Sequence, residues 1–319
     1  MSISGLGSQV VVGLGHQTVY GTAVAATKFP VGVLSIDAKP VDPVNPSKAF
    51  RSRTSRAQFR GPKHTECELA VEANYVGDEL LLHHLFGAVA TTHPGTLAYQ
   101  HVFTLANAAL VGMSIEAKKD LVSYVYDSMK VAKATYAFSP GEGIIRKSFT
   151  LMGREMATVS AASATYPAFQ PVLFDHVVLK KDAGSALEWE SGEVTIDNGL
   201  LNDRPQMGSR YMLEAGGGRR SITGKIVIYC TDDTWGTIFR AGTAFKLNFL
   251  ATAGANSIES TKAFTDDLEL PVCYITALSE PVSDSGYIKQ TVEFMGIYDI
   301  TNAADGAKET LLTTTVTVP

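Results

Sequence analysis

His83 and His84 stand side by side, and paired imidazoles are the first feature of this sequence that suggests a metal. Two histidines on a helix chelate one ion when they are three or four residues apart, because only then do both leave the same face. Adjacent ones point to different faces, so this pair predicts no metal site. His16, His64, His93, His101 and His176 are scattered. Gly218 with Gly224-Lys225 suggests a phosphate loop, but the spacing is one residue short. Ile226 also stands where a Ser or Thr would ligate Mg²⁺, and the segment reads as a strand. Gly13-Leu-Gly15 lacks the third glycine and the βαβ setting of a dinucleotide site. The acidic pairs Asp232-Asp233 and Asp266-Asp267 sit beside turns and read as solvated caps rather than acid/base dyads. There is no Gly-x-Ser-x-Gly elbow and no His-Glu-x-x-His. Cys67, Cys230 and Cys273 are too few and too far apart for a disulfide framework or a paired-cysteine zinc site, so free thiols are expected. The expectation is a protein with no catalytic, cofactor or metal residues, and not an enzyme.

The elements around these residues are mostly β. The chain has 319 residues, 45% hydrophobic and 18% charged, which is globular composition for one or two domains. A net charge of −5 gives no general basic surface for nucleic acid. The N-terminal MSISGLGSQVVVGLG has no basic residue before its apolar run, which argues against a signal peptide. No apolar stretch reaches the roughly 18 residues a membrane helix needs. A soluble protein made in a cytoplasm, without a membrane anchor, is expected.

Glu68 to Ala73 alternates, with Leu69, Val71 and Ala73 on one face, as a half-buried strand does. Lys147 to Gly153 alternates with Phe149 and Leu151 inward, after the turn Ser139-Pro-Gly-Glu-Gly143. Gln290 to Gly296 repeats this with Val292 and Phe294 inward, after the turn Ser283-Asp-Ser-Gly286. Two short stretches read as helices. Asp78 to Phe86 has Leu81, Leu82 and Leu85 on one stripe. Asp233 to Arg240 has Trp235, Ile238 and Phe239. Asp78 and Asp233 are placed to cap them.

The strand-helix unit occurs twice. At one constant spacing Leu69 and Val71 match Ile226 and Ile228, and Leu81 and Leu82 match Ile238 and Phe239. Ser35-Ile-Asp37 before the first unit has a counterpart in Thr195-Ile-Asp197. Ser148 to Gly153 after it has one in Thr291 to Gly296. Three landmarks in one order predict an internal duplication: a first β domain over 1–165 and a second over 166–319, with the seam near residues 160 to 172. Each copy carries a long irregular insertion, Asp42 to Lys63 and Asn202 to Arg220. The first holds Lys48, Arg51, Arg53, Arg56, Arg60 and Lys63 with Phe50 and Phe59 between them; the second holds Arg204 and Arg210. A basic loop on an acidic body fits contact with another copy of the chain, a solvated loop, or nucleic acid. Contact between stacked copies through Arg51, Arg53, Arg56, Arg60, Arg204 and Arg210 is the reading preferred here.

The run Gly13-x-x-x-Gln17-Thr-Val-Tyr-Gly-Thr-Ala23 resembles the opening of the tail tube (major tail) proteins of long-tailed bacteriophages. Tyr124-Val-Tyr126-Asp-Ser-Met-Lys-Val131 is similar to that family's aromatic-x-aromatic strand, with Asp127-Ser128 standing where a glycine is common. Ser139-Pro-Gly141 followed by Ser148 to Gly153 resembles its hairpin and next strand. Ser191-Gly-Glu-Val-Thr-Ile-Asp-Asn198 resembles the start of a second such domain. The resemblance implies two tandem tail-tube-like β-sandwich or barrel domains, each with a short flanking helix and a long loop. It implies a structural virion protein whose rings stack into the hollow tube through which DNA leaves the capsid. The implied partners are further copies of the chain, the tape measure protein, and the tail terminator and tail tip proteins. Double-stranded DNA would pass without specific binding, and the place of action would be the virion tail, assembled in the host cytoplasm. Single-domain relatives are implied to form six-membered rings, so two fused domains give a ring of three chains, the rival being six. The run Thr310 to Val318 reads as a β-arm for a neighbour or as the last strand of the second domain. Competing classes are another β-rich virion or binding module (capsid, spike or lectin-like) and a hydrolase without a recognisable motif.

Overall fold

The computed structural model of the protein describes residues 10–47, 57–108, 110–120, 122–160, 163–182, 184–281, 286–298 and 306–318. Among them the first half contains β1 (Val10–His16), β2 (Val33–Val41), β3 (Val44–Pro46), β4 (Gln58–Arg60), β5 (His64–Glu72), α1 (Glu79–Phe86), β6 (Gly87–Thr92), β7 (Tyr99–Leu105), β8 (Met113–Lys119), β9 (Val122–Phe138), β10 (Arg146–Gly153) and β11 (Glu155–Thr158). The second half contains β12 (Val177–Lys181), β13 (Trp189–Asp197), β14 (Leu200–Leu201), β15 (Gly216–Gly217), β16 (Ser221–Tyr229), α2 (Thr234–Ala241), β17 (Phe245–Glu259), β18 (Lys262–Ser279), β19 (Lys289–Gly296) and β20 (Lys308–Thr313). The fold is mainly β, as expected.

Eight strands run side by side in the order β2-β5-β10-β9-β13-β16-β19-β18, all antiparallel. Their period of two sends Leu69, Val71, Phe149, Leu151, Ile226, Ile228, Val292 and Phe294 to one side, where all are buried. The β1-β8-β9-β11 and β12-β17-β18-β20 sets meet them there. β9 and β18, of 17 and 18 residues, belong to both layers. This is why Val125 to Ala132 is buried without alternation. The chain turns between layers at Ser128, whose φ of 55° is a left-handed conformation that favours glycine.

The order of pairing occurs twice. β1 pairs β8, β8 pairs β9 and β9 pairs β11; β12 pairs β17, β17 pairs β18 and β18 pairs β20. Bulges recur at matching steps. One lies between Val33 and Ser35 and again between Trp189 and Ser191. One lies between Met113 and Ile115 and again between Phe245 and Leu247. One lies where Thr150 and Leu151 face β9 and again between Ile275 and Ala277 of β18. Leu69 opposite Phe149 corresponds to Ile226 opposite Val292, as the sequence predicts.

Two other correspondences differ from the sequence reading. The bulges match Ser35 with Ser191, four residues before Thr195. In the helices, Gly87 and Gly242 are both left-handed C-caps and Asp78 and Asp233 both N-caps, so Leu80 corresponds to Trp235. The strand-to-helix link is two residues shorter in the second half, which shifts the match of Leu81 and Leu82 away from Ile238 and Phe239. The sheet does not break at residues 160 to 172. Ala134 of β9 lies opposite Ile196 of β13. β20 lies between β18 and β7, so within Lys308–Thr313 the C-terminal run is an internal strand of its own chain.

The interior holds a charge cluster that the sequence reading missed. Lys147 is 1% exposed, and its Nζ is 3.0 Å from Asp266, 3.1 Å from Glu309 and 3.7 Å from Asp78. The Tyr136 hydroxyl donates to Glu309 at 2.5 Å. Burial opposes the ammonium, but the three carboxyls outweigh it and hold the Lys147 pKa well above the usual lysine value. Burial pushes the Asp78 carboxyl up to about 7 and Glu309 up to about 8, with Lys147 pulling both back. Asp78 therefore does not cap α1 with its side chain: it accepts the Asn74 N–H at 3.0 Å and faces Lys147. Asp266 is likewise an interior residue of β18 and no solvated cap. α1 is buried on nearly every side, whereas α2 leaves Phe239 44% exposed, so its apolar stripe is only partly covered.

Candidate functional site

The side of the eight-stranded face turned away from the core is continuous and polar. One row across it reads Ser35, Ala70, Ser148, Thr135, Thr195, Thr223, Met295, Tyr274. Thr135 and Thr195 hydroxyls touch at 3.1 Å. The rows on either side carry Asp37, Glu68, Asp197, Glu72, Glu193 and Glu293 against Lys133, Arg146 and Lys225. Carboxylates thus outnumber cations across the centre of this face.

Both ends of the face are open. Among the described residues β2 pairs with β5 and with no other strand. Residues 274–279 of β18 pair with β19 on one side, and among the described residues no strand lies on the other. Open edges are a hazard for a monomer and a joint for an assembly.

The two long insertions meet at one end of the face. Asp42 accepts from Arg60 at 2.9 Å and from Arg210 at 2.5 Å, and together they hold its carboxyl below the usual range against burial. The Lys63 N–H donates to the Arg210 carbonyl at 2.7 Å. The Tyr211 ring lies between Lys63 and Arg154, 4.1 and 4.0 Å from its centroid. Arg60 and Arg210 are thus brought together by one carboxylate within the chain. Arg204 joins no such pair among the described residues, though its carbonyl accepts the Leu213 N–H at 3.1 Å. Arg51, Arg53 and Arg56 lie outside the described residues.

The opening motif ends at the same place. Gln17 is 2% exposed; its Oε1 accepts the Ser128 N–H at 2.8 Å and its Nε2 donates to Ser128 Oγ at 3.1 Å. Gly21, with φ of 79°, donates its N–H to the same Oγ at 2.7 Å. The motif therefore locks the left-handed turn of β9, and Tyr20 reaches on to the Met212 carbonyl at 3.0 Å.

The residues with chemical potential are spent on structure. His16 Nδ1 lies 3.4 Å from His84 Nε2, and His84 Nδ1 is 2.9 Å from the Val111 carbonyl. Burial lowers the His84 pKa to about 3 and also lowers those of His16 and His83. Among the described residues no three His, Cys, Asp or Glu side chains are placed to hold a metal. Asp232 accepts the Thr234 N–H at 2.8 Å and Asp233 pairs with Arg240, both at the surface. Gly224-Lys225 lies in β16, where a Cβ on Gly224 would meet the Phe294 ring at 2.5 Å. Cys67 and Cys273 are buried free thiols, and Cys230 is half-buried and free. Among the described residues no helix is long and apolar enough to cross a membrane.

A β subunit with two open sheet edges, a polar free face and knitted surface loops is built to meet other proteins; its class is structural. The phage tail tube protein family matches residues 7–296, and the chain belongs to that family. No curated protein matches it. The family makes this a structural component of the phage tail, and its place the virion tail.

Proposed function

We propose that the chain assembles into closed rings stacked as a hollow tube, with the free face of the eight strands lining the lumen and DNA passing through. The observation that carries this is the pair of open edges at opposite ends of one polar face. The twofold recurrence of strand order and bulges supports a tandem duplication, two domains in one chain, each filling one place. Six places then need three chains, and head-to-tail contacts close the ring. The tape measure, terminator and tip proteins are further partners of the same subunit.

The lumen must let duplex DNA slide, and every phosphate contact with a Lys or Arg adds affinity. The excess of carboxylates and the hydroxyl row meet that demand. Replacing Glu68, Glu193 and Glu293 together by Lys should leave tubes intact but make them retain duplex DNA at low salt and release it as salt rises. Native tubes that retain DNA as strongly as the variant would contradict this lining.

The knitted insertions fit the contact between rings. Arg60 and Arg210 fix the base of this arm on Asp42, which leaves Arg51, Arg53 and Arg56 to meet carboxylates of the adjacent ring. Changing those three to Glu should stop growth at single rings, seen by electron microscopy, while the thermal unfolding of the subunit is unchanged. Tubes of normal length from the variant would remove this loop from the stacking contact.

A further inference from the structure

The chain contains a seam between its own halves, and the geometry points to that seam as the register template for the contact between chains. Specifically, we infer that β18 of one chain pairs antiparallel with β2 of a second copy, Ser279 opposite Lys39 and Leu278 opposite Pro40. This rests on the ring reading above but goes further, because it fixes which residues touch.

Matching each strand through its pairings gives the correspondence. Thr291 lies opposite Ser279 as Ser148 lies opposite Thr135, so Ser279 takes the place of Thr135. Lys39 lies opposite Glu66 as Thr195 lies opposite Thr223, so Lys39 takes the place of Thr195. Thr135 and Thr195 face one another across the internal seam.

Three differences between the halves show that the second seam awaits a partner. At the internal seam Val131, Ala134, Val194 and Ile196 are fully buried; their counterparts Ile275, Leu278 and Ala38 are only half-buried, and Pro40 is exposed. Lys147 receives Asp266 and Glu309 from across the internal seam. Its counterpart Gln290 is 1% exposed, and its Oε1 is a buried acceptor with no hydrogen bond among the described residues. An unmet buried acceptor is costly, and an incoming chain relieves it. Finally, β20 packs on α1 through Thr313 and Glu79, while α2 lies open with Phe239 exposed. The counterpart of β20 is β11, whose Met156 is also exposed. The same docking lays β11 of the second copy toward α2.

Pro40 explains why the free edge is safe. The Asn198 N–H donates to Ala132 across the internal seam, and alternate residues of β13 face the same way. Ile196 is one of them, and Pro40 is its counterpart without an N–H. The missing donor blunts the β2 edge against unspecific pairing.

Thr135 and Thr195 form the closely spaced type of antiparallel pair, with Cα atoms about 4.5 Å apart, within disulfide range. The test uses the full chain carrying K39C and S279C in a C230S background. Oxidation of the assembled protein should give covalent dimers and trimers on a denaturing gel, and none from either single variant or from A38C with S279C. For the unmodified chain, hydrogen exchange should slow in 36–41 and 274–280 on assembly. Rings or tubes without the cross-link and without this protection would overturn the seam and leave the tube reading standing. A chain that stays monomeric at every concentration would overturn both.

Discussion

Replacing Lys147 by Met should cost about 3–5 kcal/mol of folding stability, because it leaves Asp78, Asp266 and Glu309 buried without their cation. The loss should depend on pH in a defined direction. Asp78 and Glu309 have folded pKa values near 7 and 8, above their unfolded values of about 4. A carboxyl raised in this way favours folding while it is protonated, and that contribution fades as pH climbs from about 4 toward 8. With Lys147 gone the carboxyls resist ionisation more, so the gap between variant and native protein should widen from pH 5 to pH 8.5. His84, His16 and His83 are lowered by burial and weaken the fold as pH falls below about 6.5. They act equally in both proteins and cancel from the difference. Urea unfolding at several pH values measures it. A gap under about 1 kcal/mol, or one that does not change with pH, would mean that the cluster contributes little to holding the two halves together.

That cluster was legible in part. Lys147 shares the parity of Phe149 and Leu151, and Asp266 that of Phe264 and Leu268. A charged residue at an inward position of an alternating strand signals a buried partner. The signal says only that one exists, since Glu309 lies 162 residues from Lys147. Helix spans and inward strand faces were readable for the same local reason, since period is set by neighbours in sequence, but neither Asp78 nor Asp233 caps its helix with its side chain. The burial of α1 was not, because β9 and β20, which pack on it, come from distant segments. Nor was the true match of Ser35 to Ser191, which depends on a bulge at Leu34 that leaves no mark on composition. The meeting of the insertions at Asp42 was equally hidden. Arg60 and Arg210 looked free for a partner outside the chain, and three-dimensional proximity gave them one inside it. The open edges of β2 and β18 are a property of pairing, so no single strand reveals them.

The proposed tube holds three chains in each ring, both halves contributing strands to one lumen wall. It rests on the eight-stranded face with matching halves, on the seam inside the chain, and on the edges left open, among the described residues, at its two ends. The rival puts six chains in a ring and leaves the second half outside the wall. The most direct measurement is electron cryomicroscopy of the concentrated protein, with ring symmetry determined from the images. Hollow tubes with true threefold and approximate sixfold symmetry are expected, with β13, β16, β19 and β18 in the lumen wall beside β2, β5, β10 and β9. Six equivalent chains per ring, with residues 172–300 projecting from the outside of the tube, would contradict it.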